Sequence, residues 1–168
     1  MSSILPVTPH KEIRVLAVRQ PWASLIVEGL KTIEVRSRPT KIRGKILIYA
    51  SNTKLTENEK SLLYEHFTTL DVERRVFHHV ADKARDLLHT SEYGKILGSV
   101  ELTQSFRCWS IGDYDEYIGE HLAPYEYFKL CSTEFWAFQN PVRFSTPIKY
   151  TPPRGAVVWS KTVLPEGY

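Results

Sequence analysis

The chain has 168 residues, 42% of them hydrophobic and 24% charged, a length that suits one domain with a single core. No apolar run reaches the roughly 18 to 20 residues of a membrane span, and no basic-then-apolar leader opens the sequence. Two cysteines, Cys108 and Cys131, without a C-x-x-C pair exclude a disulfide framework and a zinc ribbon.

These absences predict a soluble, intracellular, cytoplasmic protein with two small buried thiols and no membrane partner. The net charge of +3 hides an asymmetry. Residues 1–54 carry ten Lys or Arg against three Glu, residues 55–134 carry fifteen acids against eight bases, and the tail from Phe135 carries four bases against Glu166. A basic face beside an acidic flank would attract polyanions, and an ordinary solvated surface is the competing reading.

In chain order, residues 1–12 read as a loose arm, and Ile13–Val18 as the first strand. Pro21 suits the first turn of a helix, Trp22, Leu25 and Ile26 recur at helical spacing, and Gly29 sits where a left-handed cap belongs, so a short helix is predicted over Gln20–Gly29. Thr32–Ser37 alternates, with Ile33 and Val35 on one side and Thr32, Glu34 and Arg36 on the other. Lys45–Ala50 is nearly all apolar, which predicts a strand covered on both faces. Thr56 with Glu59 forms a capping box, opening a helix over about Glu57–Phe67. A second helix is predicted over Asp71–Leu88, with Val72, Val76, Val80 and Leu87 inward. Strands follow at Lys95–Ser105 and Phe135–Phe144, and a last one at Ala156–Ser160 after the turn Pro152-Pro153-Arg154-Gly155. The predicted fold is α+β: a small β-barrel of about six strands over residues 13–161, with a short N-terminal helix, a two-helix insertion at about 55–90, and a tail at 162–168.

Polar residues that packing does not require cluster between Leu16 and Ser51. Lys31 follows an apolar helix, where desolvation would lower its pKa and make it a base or nucleophile; a cation meeting the last helical carbonyls is the alternative. Glu34 and Arg36 share a strand face, either as a structural ion pair or as a pair holding a base edge and a phosphate. Arg19 and Gln20 precede the helix and could meet an anion, Gln20 alternatively serving as a cap. Trp22 could stack on a base or belong to the core. Arg38, Lys41, Arg43 and Lys45, with Arg154 from the final turn, could track a nucleic-acid backbone or form a solvated loop. Ser51 and Asn52 end a strand where polar groups reach a cleft mouth. Tyr114, Tyr117, Tyr125, Tyr127 and Phe128 read as packing over the barrel. His78 and His79 are adjacent and no ligand spacing surrounds them, so no metal and no cofactor are expected.

The run RQPWASLIVEGLKTIEVRS followed by RGKILIYAS resembles the signature of the ASCH domain family, a branch of the PUA-like barrels. The resemblance extends to Gly98-Ser99-Val100-Glu101-Leu102, to Trp136-Ala137-Phe138 with Pro141, and to Gly155-Ala156-Val157-Val158-Trp159. It implies a PUA-like barrel with a cleft beside the first helix, associated with RNA, modified nucleosides or RNA-linked regulation. One branch of the family removes the acetyl group of acetylated cytidine with a Lys, a Thr and a Glu, the Lys lying in a Gly-x-Lys-Thr turn. Gly29-Leu30-Lys31-Thr32 supplies that lysine, but the threonine position three residues on is Glu34, and Glu101 is the candidate acidic member. The resulting expectation is an RNA- or modified-nucleoside-binding protein. Its ligand residues are Arg19, Gln20, Trp22, Lys31, Glu34, Arg36, Arg38, Ser51, Asn52 and Arg154. The rival is a small hydrolase using Lys31, Glu34 and Glu101, an amidohydrolase or a ribonuclease. A third reading is a protein-interaction module built on the segment from Asp113 to Tyr127.

Overall fold

The structure is a computed structural model and describes residues 11–168; most of the predicted N-terminal arm lies outside the described residues. Six strands form one mixed sheet: β1 (Ile13–Val18), β2 (Ile33–Arg36), β3 (Gly44–Ala50), β4 (Lys95–Arg107), β5 (Glu134–Lys149) and β6 (Trp159–Thr162). Their order is β2-β5-β4-β3-β1-β6, with β1 and β3 parallel and every other pair antiparallel. The sheet curls but does not close: β2 and β6 are its two edges, so the predicted barrel is open along one seam. Side chains span that seam instead. Arg36 Nη2 donates to the Ala17 carbonyl at 2.9 Å, and Trp136 on β5 stacks on Trp159 on β6 with ring centroids 5.6 Å apart.

The first helix, α1 (Trp22–Val27), is shorter than the predicted Gln20–Gly29, and all six of its residues are buried, not one face only. It packs against β3, β4 and β5. At its end Gly29 takes φ +76°, while the amides of Leu30 and Lys31 both donate to the Leu25 carbonyl. A Cβ at Gly29 would come within 3.0 Å of Pro141, so the turn requires glycine for conformation and for space.

As the sequence pattern predicts, β3 is buried on both faces. Ile46 and Ile48 join the main core, whereas Leu47 and Tyr49 join a smaller cluster with Val15 and Ile96 on the opposite side. That second side is covered by the far part of β5, through Phe144 and Ile148, and by Leu164. The fifth strand therefore runs beyond the predicted Phe144, because its later residues fold over the outer face as a cover. Gly98 permits the bulge there: an added Cβ would collide with the Val142 carbonyl oxygen.

The insertion is helical but divided differently from the prediction. Helix α2 (Glu57–Val72) opens with the Thr56–Glu59 capping box and runs past Phe67, and α3 (His78–Leu87) starts seven residues later than expected. Val72 is 77% exposed and not inward, because it lies in the last turn of α2. Two short helices, α4 (Ile111–Glu116) and α5 (Ile118–His121), and a 3-10 turn at Tyr125–Tyr127 complete the elements among the described residues. Of the aromatic residues in this segment, Tyr114 packs as predicted, whereas Tyr125 and Tyr127 lie at the surface. Cys108 is buried, but Cys131 is exposed in a turn with φ +61°, contrary to the expected buried thiol.

Candidate functional site

A cleft of about 440 Å³ opens at one end of the seam, within the range of about 300 to 1,000 Å³ common for small-molecule sites. Trp22 and Tyr127 form one wall, Val157 and Val158 another, and Glu34 and Arg36 project into it from β2. Alternation along the short β2 strand delivers these last two side chains to the same face, and Gly29 turns the chain so that Lys31 arrives beneath them.

Lys31 is 1% exposed and Glu34 7%. The lysine ammonium donates to the Ile33 carbonyl at 2.7 Å and to the His121 carbonyl, and it lies 3.4 Å from a Glu34 oxygen. It also sits 5.1 Å from the Trp22 ring centre, a cation–π approach. Burial lowers the amine from its ordinary value to about 8, against the opposing pull of Glu34. Arg36 meets the other Glu34 oxygen at 3.2 Å and lies over the Trp136 ring at 5.5 Å. The carboxylate is thus suspended between two cations, with its open side toward the cleft. Such an arrangement fixes an acceptor in a partly dry setting, where a donor on a ligand is read strongly.

His121, whose carbonyl receives Lys31, is itself locked in place. Its Nε2–H donates to the Tyr114 carbonyl and its Nδ1 accepts from the Ala123 amide. Burial, with Lys31 nearby, pushes its pKa down to about 3, so the ring stays neutral and adds no second charge under Glu34.

Arg19 stands at the cleft rim and is held by Glu59 at 3.1 Å and by the Lys54 carbonyl. Two polar atoms at the site, Ser51 Oγ and Arg19 Nε, are buried without a hydrogen-bond partner among the described residues. Unpaired buried polar atoms cost free energy, and both of these residues line the cleft.

Among the residues singled out from sequence, the fold therefore brings together Arg19, Trp22, Lys31, Glu34, Arg36 and Ser51. The others go elsewhere. Gln20 is fully buried and spends its amide on Ser24 and the Glu92 carbonyl, capping α1. Asn52 packs against Gly94. Arg38 is exposed and contributes its carbonyl to the Trp136 indole, and Arg154 is exposed in the last turn. Glu101 lies on β4 opposite Lys45 and Gln139, accepts from Asn140 at 2.6 Å, and does not line the cleft. The cleft is also less basic than the charge count suggests, since Glu34 and Glu59 occupy its cations; the free positive charge lies outside, on the loop of Arg38 and Lys41.

Tyr127 and the pair Val157-Val158 are lining residues that chemical reasoning passed over. Tyr127 sits among aromatics that read as packing, and no spacing rule joins residue 127 to residue 22; only the 6.2 Å edge contact between the rings shows it. Away from the cleft, Asp71, His78 and Asp82 lie close enough together to share a cation, but Arg85 already bonds both carboxylates.

A curled six-stranded sheet with a buried helix after the first strand and a cleft at its open seam defines the class, and the chain belongs to the ASCH domain family, whose profile matches residues 16–138. The chain is similar to activating signal cointegrator 1 of Homo sapiens, 35% identical over 89 residues, and to that of Mus musculus, 33% identical over 89 residues. Each match covers 52% of this chain and 13% of the relative, so the chain resembles a small part of those proteins. Among solved structures it is similar to ASCH from Zymomonas mobilis, with a TM-score of 0.52, 17% identity, and coverage of 91% of this chain and 87% of that one. A variant of the same bacterial protein matches with the same TM-score at 16% identity. At that identity the likeness speaks for the fold. Among the described residues no helix is long and apolar enough to cross a membrane.

Proposed function

We propose that the protein binds RNA or a modified nucleoside, with one nucleobase seated in the cleft against the wall that Trp22 and Tyr127 form. The observation that carries this reading is Glu34, a nearly buried carboxylate held by Lys31 and Arg36 at the base of a nucleoside-scale opening. A carboxylate in that position accepts from an exocyclic amino or ring N–H group of a base edge. Ser51 Oγ supplies a further donor and acceptor, and Tyr127, exposed where Trp22 is buried, offers aromatic surface worth about 1 to 3 kcal/mol per stacked base. Arg19 stands at the cleft rim, and in this reading the phosphates of a longer strand run past it toward the exposed basic loop at Arg38 and Lys41.

A hydrolase acting on acetylated cytidine or RNA is the second reading, supported by the lowered pKa of Lys31. Two features weigh against it. The lysine's protons point at two backbone carbonyls and Glu34, and Glu101 is remote from the cleft lining.

The test combines binding and product analysis. Wild type and Lys31→Ala are incubated with cytidine, acetylated cytidine and a mixed RNA pool at two salt concentrations. Saturable binding without turnover supports recognition, with steep salt dependence for RNA and weak dependence for a nucleoside. Turnover lost in the variant would replace this reading with the hydrolase, and no binding of any probe would refute both.

A further inference from the structure

Tyr127 has a second side. Behind it lies another cavity of about 410 Å³, floored by Leu55, Leu63 and Tyr127 and rimmed by Glu59, Glu65 and Glu126. No Lys or Arg lines it. Glu65 and Glu126 form no ion pair among the described residues, and Glu59 faces Arg19, which belongs to the cleft on the other side. The remaining basic side chain, His66, donates from Nε2 to the Leu122 carbonyl at 3.0 Å, and burial lowers its pKa, so it brings no positive charge at neutral pH. The rim is completed by Leu62 on α2, 66% exposed, and by Pro124.

An apolar floor under two carboxylates, Glu65 and Glu126, that form no ion pair among the described residues selects against phosphate and in favour of a cation carried on an apolar stem. Arg and Lys side chains have that chemistry, since their methylenes pack on apolar surface while the charged head reaches the rim. A lone cationic residue would leave Leu62 and part of the floor uncovered, so an adjacent apolar side chain is also required. We propose that this cavity docks a short basic and apolar peptide segment of a partner protein. Its Arg or Lys pairs with Glu65 and Glu126, and a neighbouring aliphatic side chain covers Leu62 and the floor at Leu63. The docking site stands on the acidic, tyrosine-rich side of the molecule and shares Tyr127 with the cleft.

The test titrates the full chain with a peptide alternating Arg and Leu, and separately with one alternating Glu and Leu, following backbone and side-chain NMR signals. The Arg–Leu peptide is expected to shift Leu62, His66 and Tyr127 saturably. The double variant Glu65→Gln with Glu126→Gln, which changes two exposed side chains, should weaken its Kd by about threefold to tenfold. Leu62→Ser should weaken it by a similar factor through lost apolar contact. Absence of saturable shifts at these residues would overturn the proposal, as would equal affinity in the double variant or equal shifts with the Glu–Leu peptide. An RNA oligonucleotide moving the Leu62 and His66 signals, which lie outside the cleft, more strongly than the Arg–Leu peptide would overturn it too.

Discussion

Replacing Lys31 by Met keeps a flexible stem at a site 1% exposed while removing the cation beneath Glu34. The Ile33 and His121 carbonyls lose their donor, and the carboxylate keeps Arg36 as its one ion-pair partner. Removing one member of a buried pair typically costs about 3 to 5 kcal/mol. Part of that is offset, because the ammonium itself is unfavourably desolvated, so a loss near the lower end, about 3 kcal/mol at pH 7, is expected. The pH dependence has a defined sign. The unfolded amine titrates near 10.5 and the folded one near 8, so between these values the unfolded chain retains a proton that the folded chain has shed. Stability from this group therefore rises with pH, by about 1 kcal/mol between pH 7 and pH 9. The charged groups facing the amine are Glu34 and Arg36 on β2, and His121 is neutral throughout that window. The Met variant lacks the increment, so its deficit should widen from about 3 to about 4 kcal/mol. Urea unfolding of both chains at pH 7 and pH 9, with unchanged m values, measures this. A deficit below about 1 kcal/mol at pH 7, or one that shrinks at pH 9, would refute the role assigned to the buried ammonium.

Ser51→Ala removes a buried hydroxyl that has no partner, so thermal stability should stay level or rise by up to about 1 kcal/mol while nucleoside affinity falls several-fold. Calorimetry with titration of the same samples distinguishes this from a purely structural serine, which would leave affinity unchanged. Gly98→Ala drives a methyl into the Val142 carbonyl oxygen and should destabilise the chain by about 3 kcal/mol or more, visible as a lowered urea midpoint. A midpoint within error of wild type would show that the β4–β5 bulge relaxes easily. Arg38→Glu with Lys41→Glu changes exposed residues and should leave the unfolding midpoint within about 0.5 kcal/mol. If both residues meet phosphate, the slope of log affinity against log salt for single-stranded RNA should fall by about 1.4. An unaltered slope would remove that loop from the RNA path.

Local pattern made much of the fold legible: the alternation of β2, the apolar run of β3, the capping box of α2 and the glycine after α1 each state their conformation within a few residues. The boundary between α2 and α3 was not legible, because the turn at 73–77 holds no Gly or Pro and places Arg74 at positive φ despite its side chain. The openness of the sheet could not be read either, since edge strands and closing strands share the same alternation. At the site, the residues within one short stretch, Lys31, Glu34 and Arg36, could be grouped from spacing alone. Tyr127 required the tertiary fold, and Glu101, assigned by resemblance, stands on a strand whose side chains at that register turn toward Lys45 and Gln139.

The seam between β2 and β6 carries a mechanical consequence. Every other strand junction is laced by a ladder of backbone bonds, and parting one would break several at once. Across this junction the described residues place a guanidinium bond to the Ala17 carbonyl, a pair of stacked indoles and apolar packing of Val35 and Val158 on the core. Widening the cleft is correspondingly inexpensive, on the order of a single charged hydrogen bond and a stacking contact, a few kcal/mol in all. Under the proposed function, ligands of different girth would be admitted by shifting Arg36 and Trp159 while the core keeps its packing.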